Sequence, residues 1–258
     1  MKLQKILSKF QKLHSREIDL SLDRIRLLMA DLGNPQDKIK CIQVCGTNGK
    51  GSTISFLRSI LKEANYKCNV YTSPHVISIN ERFVYNDEMI RDDDLANLLN
   101  EVHEVNNGKP LTYFEALTAA FFLGCMKYQN NIVLAEFGLF GRGDAVNILK
   151  KNLANIVVSM SMDHESWLPE NDRTIERIIY EKTSSLLNSN IIVAKQSSNK
   201  ITECIKKNIS SNPANKIFYG EDYNFVLKEN DFFFYEDQYG SLKIPKPRIK
   251  GDFQLENA

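Results

Sequence analysis

The sequence lacks the features that mark several large functional classes. Its 33 basic and 32 acidic residues nearly cancel, leaving a formal net charge of +1. That balance suggests neither nucleic-acid binding nor adsorption to an anionic membrane. No apolar run reaches transmembrane length, and the N-terminal stretch from Met1 to Glu17 is too polar for a secretory signal. Its amphipathic spacing could pass for a transit peptide, but acidic residues follow at once. The cysteines number five, an odd count, and Cys41, Cys45, Cys68, Cys125 and Cys204 form no CxxC pair. They read as reduced structural residues, not as disulfides or metal ligands, so the expected localisation is cytoplasmic. Internal repeats and low-complexity segments are also absent.

The 258 residues are 43% hydrophobic and 25% charged, enough for one large α/β domain with a sizeable core. The chain is organised around Val44-Cys45-Gly46-Thr47-Asn48-Gly49-Lys50-Gly51-Ser52-Thr53. A short apolar run, 39–45, precedes it and reads as a strand. Ile54, Phe56, Leu57, Ile60, Leu61 and Ala64 follow at helical spacing, so a helix is expected from about Ser52. A glycine-rich turn between strand and helix points backbone N–H groups at an anion, and Lys50 adds a full positive charge. The strict signature G-x-x-x-x-G-K-[ST] is not met, because Val44 replaces its first glycine and Gly51 separates Lys50 from Ser52.

Elsewhere the periodicity predicts helices over 2–13, 21–32 (capped by Ser21 or Asp19), 92–105, 113–128, 171–188 and 199–210. The 113–128 helix is so rich in alanine and aromatics that burial on more than one side is expected. Strands are predicted at 67–72, 131–137, 155–162 and 190–194, the last three near-continuous in apolar residues, as strands covered on both faces are. This alternation argues for a mostly parallel sheet covered by helices. Residues 216–245, with short aromatic runs broken at Glu229-Asn230-Asp231 and at Tyr239-Gly240, read as a small antiparallel meander. Lys250 to Ala258 reads as a loop opening a helix, so the chain looks cut short.

Parallel sheets bind ligands beyond their carboxyl edges. That rule selects Ser73 and His75, Glu136, and Asp163 and His164, each at the end of a predicted strand. Glu136 stands alone in an apolar run and must be paired, protonated or metal-bound. Mg²⁺ takes one or two carboxylates with phosphate oxygens and waters, and histidine is an unusual ligand for it. His164 therefore stays open between a metal ligand and a hydrogen-bonded loop residue. Arg142 and Asp144 could pair with each other. Lys182 reads on chemistry alone as a solvated surface lysine.

Read together, these residues resemble the folylpolyglutamate synthase / dihydrofolate synthase branch of the Mur ligase family. The matching stretches are 18–35, VCGTNGKGST (44–53), YTSPH (71–75) with NERF (80–83), TYFEALTAAF (112–121), AEFGLFGRGDAVN (135–147), SMSMDHESWL (159–168), EKTSSL (181–186) and GDFQLENA (251–258). They occur in family order across essentially the whole chain, and the inserted Gly51 is this branch's own form.

The resemblance implies a Mur-ligase-type ATP-binding domain over 1–258, nearly complete, with the family's C-terminal Rossmann-like domain missing. It implies a monomer that uses ATP and Mg²⁺ to ligate L-glutamate to dihydropteroate and/or reduced folates through an acyl phosphate. By the match, Asn48, Gly49, Lys50, Gly51 and Ser52 cradle the nucleotide phosphates and Asn257 contacts the nucleotide. Ser73, Glu136 and His164 hold Mg²⁺. Lys182 matches a carbamylated lysine that helps bind a second Mg²⁺, so Lys50, Lys182 and His164 carry the catalytic roles. Asp19, Thr112, Tyr113, Phe114, Glu115, Gly143, Asp144 and Ala145 match stretches that contact the pterin substrate. The sequence departs from the family at Phe137, Phe140, Gly143 and Val146, and two extra phenyl rings could fill substrate space.

Two other readings compete. One is a truncated, catalytically incompetent remnant that binds ATP or pterin without ligating. The other is a P-loop kinase or GTPase, against which stand the missing NKxD-like motif and the SPH and DH segments.

Overall fold

A computed structural model describes residues 2–14, 19–229, 232–251 and 253–258. The start of the first matching stretch (Ile18), the meander break at Asn230 and Asp231, and Asp252 of the last stretch lie outside the described residues.

Six parallel strands form the body of an eight-stranded sheet. They are β1 (Lys40–Cys45), β2 (Cys68–Tyr71), β5 (Ile132–Glu136), β6 (Ala154–Val157), β7 (Asn190–Val193) and β8 (Lys216–Phe218). Two short antiparallel strands, β3 (Phe83–Tyr85) and β4 (Glu88–Met89), extend one edge, giving the order β4-β3-β2-β5-β1-β6-β7-β8. The expected meander keeps three strands, β9 (Tyr223–Glu229), β10 (Phe232–Asp237) and β11 (Gly240–Pro245). Residues 216–218, expected at its start, instead pair parallel with β7 and close the main sheet.

Register decides where chemistry can gather. Val44 lies opposite Glu136, Tyr71 opposite Ala135, and Cys45 opposite Val157. The carboxyl ends of β1, β2, β5 and β6 are therefore level, and the loops that leave them share one rim.

Alternation of side chains across the strands divides the core. Val44, Val70, Val84, Leu134 and Val158 pack with Ile54 of α3 (Lys50–Glu63) on one face. The other face carries the larger cluster, built with α1 (Lys2–Phe10), α2 (Asp23–Asp31), α4 (Asp92–Asn106) and α5 (Tyr113–Gly124). In α1 the buried residues are Leu3, Ile6, Leu7 and Phe10, the face its spacing predicts. Helix α2 starts at Asp23 after an N-cap at Leu22 with no side-chain cap, although the Ser21 hydroxyl accepts from the Asp23 N–H at 3.3 Å.

Helix α5 is buried from Glu115 to Phe122, as its composition anticipates. The Phe121 ring stacks on Tyr71 at 4.8 Å and on Tyr85 at 5.6 Å, and the Tyr71 hydroxyl meets Thr118 Oγ1 at 3.2 Å. Two further helices, α6 (Ile175–Thr183) and α7 (Asn199–Asn208), pack on each other, and the single turn α8 (Gln254–Asn257) packs on α3. The expected 171–188 helix is shorter because the Thr174 side chain caps it at the Arg177 N–H. All five cysteines are free thiols. Among the described residues no helix is long and apolar enough to cross a membrane.

Because Phe121 joins two aromatic stacks with no exposed surface, Phe121→Ala should lower stability by about 3–5 kcal/mol. Urea denaturation measures this; a loss below about 1 kcal/mol would show that the aromatic layer does not hold α5 to the sheet.

Candidate functional site

The phosphate-loop geometry follows from glycine. Gly46 (φ +138°) and Gly49 (φ +91°) adopt backbone angles that side chains rarely take. A Cβ on Gly46 would collide with Val158, and one on Gly49 with the Asn257 carboxamide. The Thr47 and Asn48 N–H groups donate to Ser159 O at 2.8 and 3.2 Å, fastening the loop to the segment after β6. Helix α3 begins at Lys50, two residues earlier than its apolar spacing suggests, so the N–H groups of Lys50, Gly51 and Ser52 form its first turn without intrahelical acceptors. The Lys50 ammonium donates to Gly46 O at 3.2 Å and Thr47 O at 3.0 Å, and lies 3.8 Å from Glu136 Oε1.

Glu136 is buried at the end of β5, and its Oε2 accepts the Ser73 N–H at 3.0 Å. Burial pushes its carboxyl above the usual range, while the Ser73 N–H, Lys50 and then Arg82 pull the other way. The Ser73 hydroxyl has no hydrogen-bond partner among the described residues, which leaves it open as a metal ligand. A buried carboxylate and a free hydroxyl beside a phosphate loop are the oxygen donors Mg²⁺ accepts. No group of three or more His, Cys, Asp or Glu side chains converges among the described residues, so most of the coordination would come from phosphate and water.

His164 has a left-handed backbone (φ +56°), and its Nδ1 lies 3.0 Å from Asp163 Oδ2 without hydrogen-bond alignment. Its reading as a hydrogen-bonded loop histidine is not met among the described residues. Burial, then the Lys182 charge, lowers its pKa and favours the neutral imidazole a metal ligand needs.

The surface reading of Lys182 is overturned: only 2% of the residue is exposed. Its ammonium donates to Gly46 O at 3.1 Å and Leu139 O at 2.9 Å, with the Phe140 ring centroid 5.8 Å away. Burial and the nearby Lys50 charge lower its pKa to about 8. Arg142 and Asp144 do not pair. Arg142 grips the buried Glu181 through Nε and Nη2 at 2.9 and 2.7 Å. Asp144 accepts the N–H groups of Gly138, Leu139 and Val146 at 2.8 to 2.9 Å and so shapes the loop after β5. Burial still raises its pKa to about 6.

Three clefts meet at this rim. One of about 360 Å³ is lined by Asp19, Thr112, Tyr113, Phe114, Glu115, Gly143, Asp144 and Ala145, together with Ser73, Pro74, Arg82, His164 and Trp167. A second, about 440 Å³, lies over Gly49, Gly51, Ser52 and Glu136 and shares Ser73 and Pro74 with the first. A third, about 490 Å³, runs from Asn48, Gly49 and Ser52 to Ala194, Lys195, Phe253 and Asn257.

All eight residues expected at the pterin substrate thus line one cavity. Thr112 and Glu115 also form the capping box of α5, and Arg24 donates to Glu115 Oε2 at 3.1 Å. Glu115 Oε1 is buried with no partner. Phe137 and Phe140 do not fill the cavity: both are buried in the core, Phe140 against Leu168 and Ile178. Residue-by-residue reading gave no role to Arg82 or Trp167, although the NERF and SMSMDHESWL stretches contain them.

A scan against protein-family models returned no match. The dihydrofolate synthase/folylpolyglutamate synthase of Bacillus subtilis is 39% identical over 169 residues, which are 62% of this chain and 38% of that protein. The Escherichia coli protein of the same name is 37% identical over 171 residues, 66% of this chain and 40% of its own length. Over the part it spans, the chain is similar to the dihydrofolate and folylpolyglutamate synthases.

The solved structure of E. coli FolC in complex with DHPP and ADP superposes with a TM-score of 0.87 at 30% identity, covering 99% of this chain and 60% of FolC. The apo form of L. casei FPGS shares the fold, with a TM-score of 0.86 at 23% identity over all of this chain and 64% of its own. This chain therefore spans about two-fifths of those curated relatives by sequence and about three-fifths of those structures by fold.

The buried ammonium gives the site a pH signature. The folded pKa of Lys182 lies below its ordinary value, so the folded state binds fewer protons and stability rises with pH between about 8 and 10.5. In bicarbonate-free buffer, the stability of the native chain relative to Lys182→Met should climb through that window by up to about 3 kcal/mol. Equal slopes in paired denaturant titrations would show that the ammonium is not desolvated.

Proposed function

We propose that this chain binds ATP with Mg²⁺ and a pterin-bearing carboxylic acid, dihydropteroate and/or a reduced folate. It then carries out the phosphoryl transfer that opens ATP-dependent ligation of L-glutamate. The observation that carries this reading is that the 360 Å³ cavity and the phosphate-loop cleft adjoin, with Ser73 and Pro74 lining both. An acid seated in the first can present its carboxylate to a phosphate held in the second. The FolC complex with DHPP and ADP supports the same pairing of ligands.

Each residue has a role in that reading. The first-turn N–H groups from Lys50 to Ser52 and the Asn48–Gly49 turn bind the phosphates, and Lys50 neutralises their charge. Asn257, packed on Gly49, borders the nucleotide. Ser73, Glu136 and His164 would hold Mg²⁺, which would supply charge neutralisation to the nucleotide phosphates. Glu115 Oε1, a buried acceptor without a partner, suits the N–H donors of a pterin ring.

A substrate carboxylate oxygen attacks the γ-phosphorus and ADP leaves, giving an acyl phosphate. The glutamate amino group then attacks the carbonyl carbon, phosphate departs and the amine sheds a proton. With a pKa near 8, Lys182 has free amine available at neutral pH to add CO₂, releasing a proton and leaving a carbamate for a second Mg²⁺.

Incubation with ATP, Mg²⁺, L-glutamate and dihydropteroate labelled with ¹⁸O in its carboxylate tests the chemistry. The expected outcome is a glutamate amide and label in the released phosphate; unlabelled phosphate would sink the acyl-phosphate step. Binding of both ligands without turnover would favour the narrower reading, a chain that holds nucleotide and pterin but does not ligate.

A further inference from the structure

The 360 Å³ cavity is electrically lopsided. Asp19, Glu115 and Asp144 stand on its wall, and among the described residues lining it Arg82 is the arginine or lysine that could meet a carboxylate. The cations near it are mostly committed. Arg24 is bound to Asp19 and Glu115, Lys50 to the loop carbonyls, and Lys182 to Gly46 O and Leu139 O. Arg82 differs. Its Nε donates to His75 Nδ1 at 2.9 Å, and among the described residues its two terminal nitrogens have no hydrogen-bond or ion-pair partner.

The segment that carries Arg82 is built to hold still. The Glu81 carboxylate accepts the N–H groups of Val76, Ile77 and Ser78 at 2.7 to 2.9 Å. Ser78 and Glu81 form the capping box of the 3₁₀ turn Ile79–Arg82. The Arg82 carbonyl accepts the Thr72 N–H at 3.4 Å, joining the turn to the residue before Ser73. Accepting from Nε requires a lone pair on His75 Nδ1, so the 2.9 Å contact is made by the imidazole with its proton on Nε2. A guanidinium held by Nε keeps a pair of terminal N–H donors suited to a carboxylate.

We infer that Arg82 receives the carboxylate of the acid substrate at the junction of the two clefts, with His75 as the positioning residue that aims it. The inference rests on the proposed reading of the cavity as a pterin-acid site. In it, Arg82 selects the acid over uncharged analogues and holds the nucleophilic oxygen toward the phosphate loop. His75 acts only through the orientation of the guanidinium.

The test compares binding of dihydropteroate with binding of its carboxamide, by fluorescence titration of the full chain. The native chain should prefer the acid. Arg82→Met should weaken acid binding about 10- to 100-fold, the range for losing a hydrogen bond to a charged group, and leave the amide within about twofold. Arg82→Lys should recover part of the preference, and His75→Ala should reduce it less than Arg82→Met. ATP affinity should be unchanged in all three, which separates a binding role from misfolding. Equal losses for acid and amide, or no loss for either, would overturn the Arg82 assignment while leaving the pterin reading intact. A native chain that binds neither compound would overturn the pterin reading and this inference with it.

Discussion

A buried ammonium joins the two loops on which the site depends. Removing a lysine charge from water costs several kcal/mol even after relaxation, so Lys182 is tolerable only where fixed dipoles replace the lost hydration. Gly46 O supplies one from the phosphate loop, Leu139 O another from the loop after β5, and the Phe140 face a third, weaker attraction. The same contacts set the distance between the two loops. A change in either loop alters the solvation of the charge, and a change in the charge loosens both. The resulting group is held in place yet less basic than an exposed lysine.

Around that tie the site is divided by chemical character. The rim over α3 is built from backbone N–H groups and suits anions. The cavity beyond Ser73 mixes aromatic walls with acceptors, and one of these, Glu115 Oε1, is buried without a donor. Glu136 stands where the two regions meet, held by Ser73 N–H on one oxygen and close to Lys50 on the other. Phosphoryl transfer is mainly a matter of position and charge neutralisation, and in the proposed reading this arrangement would supply both without a side-chain nucleophile.

What could be read from the sequence was what local chemistry decides. The glycine turn between β1 and α3 is a property of ten consecutive residues, and Glu136 stood out because a lone carboxylate in an apolar strand needs a reason. The α1 face and the burial of α5 followed from spacing and composition. Partner choice across the fold was not legible. Arg142 lies two residues from Asp144, yet its carboxylate is Glu181, brought near by the packing of α6. Lys182 sits on a helix that looks amphipathic, and only the approach of Gly46 and Leu139 shows that it is buried. Lys216 to Phe218 resembled the meander in composition, but an open sheet edge beside β7 claimed it. Arg82 was visible inside a motif and silent about its role, because that role depends on the fold of the turn before it.

The contact between Gly49 and Asn257 has a consequence for how this sequence can vary. The loop glycine is required by its own backbone angle and, in addition, by an asparagine from the far end of the chain that occupies the space a Cβ would need. The coupling runs one way: the +91° backbone angle keeps position 49 a glycine whatever stands at 257, while the Asn257 carboxamide can sit where it does only because residue 49 has no Cβ.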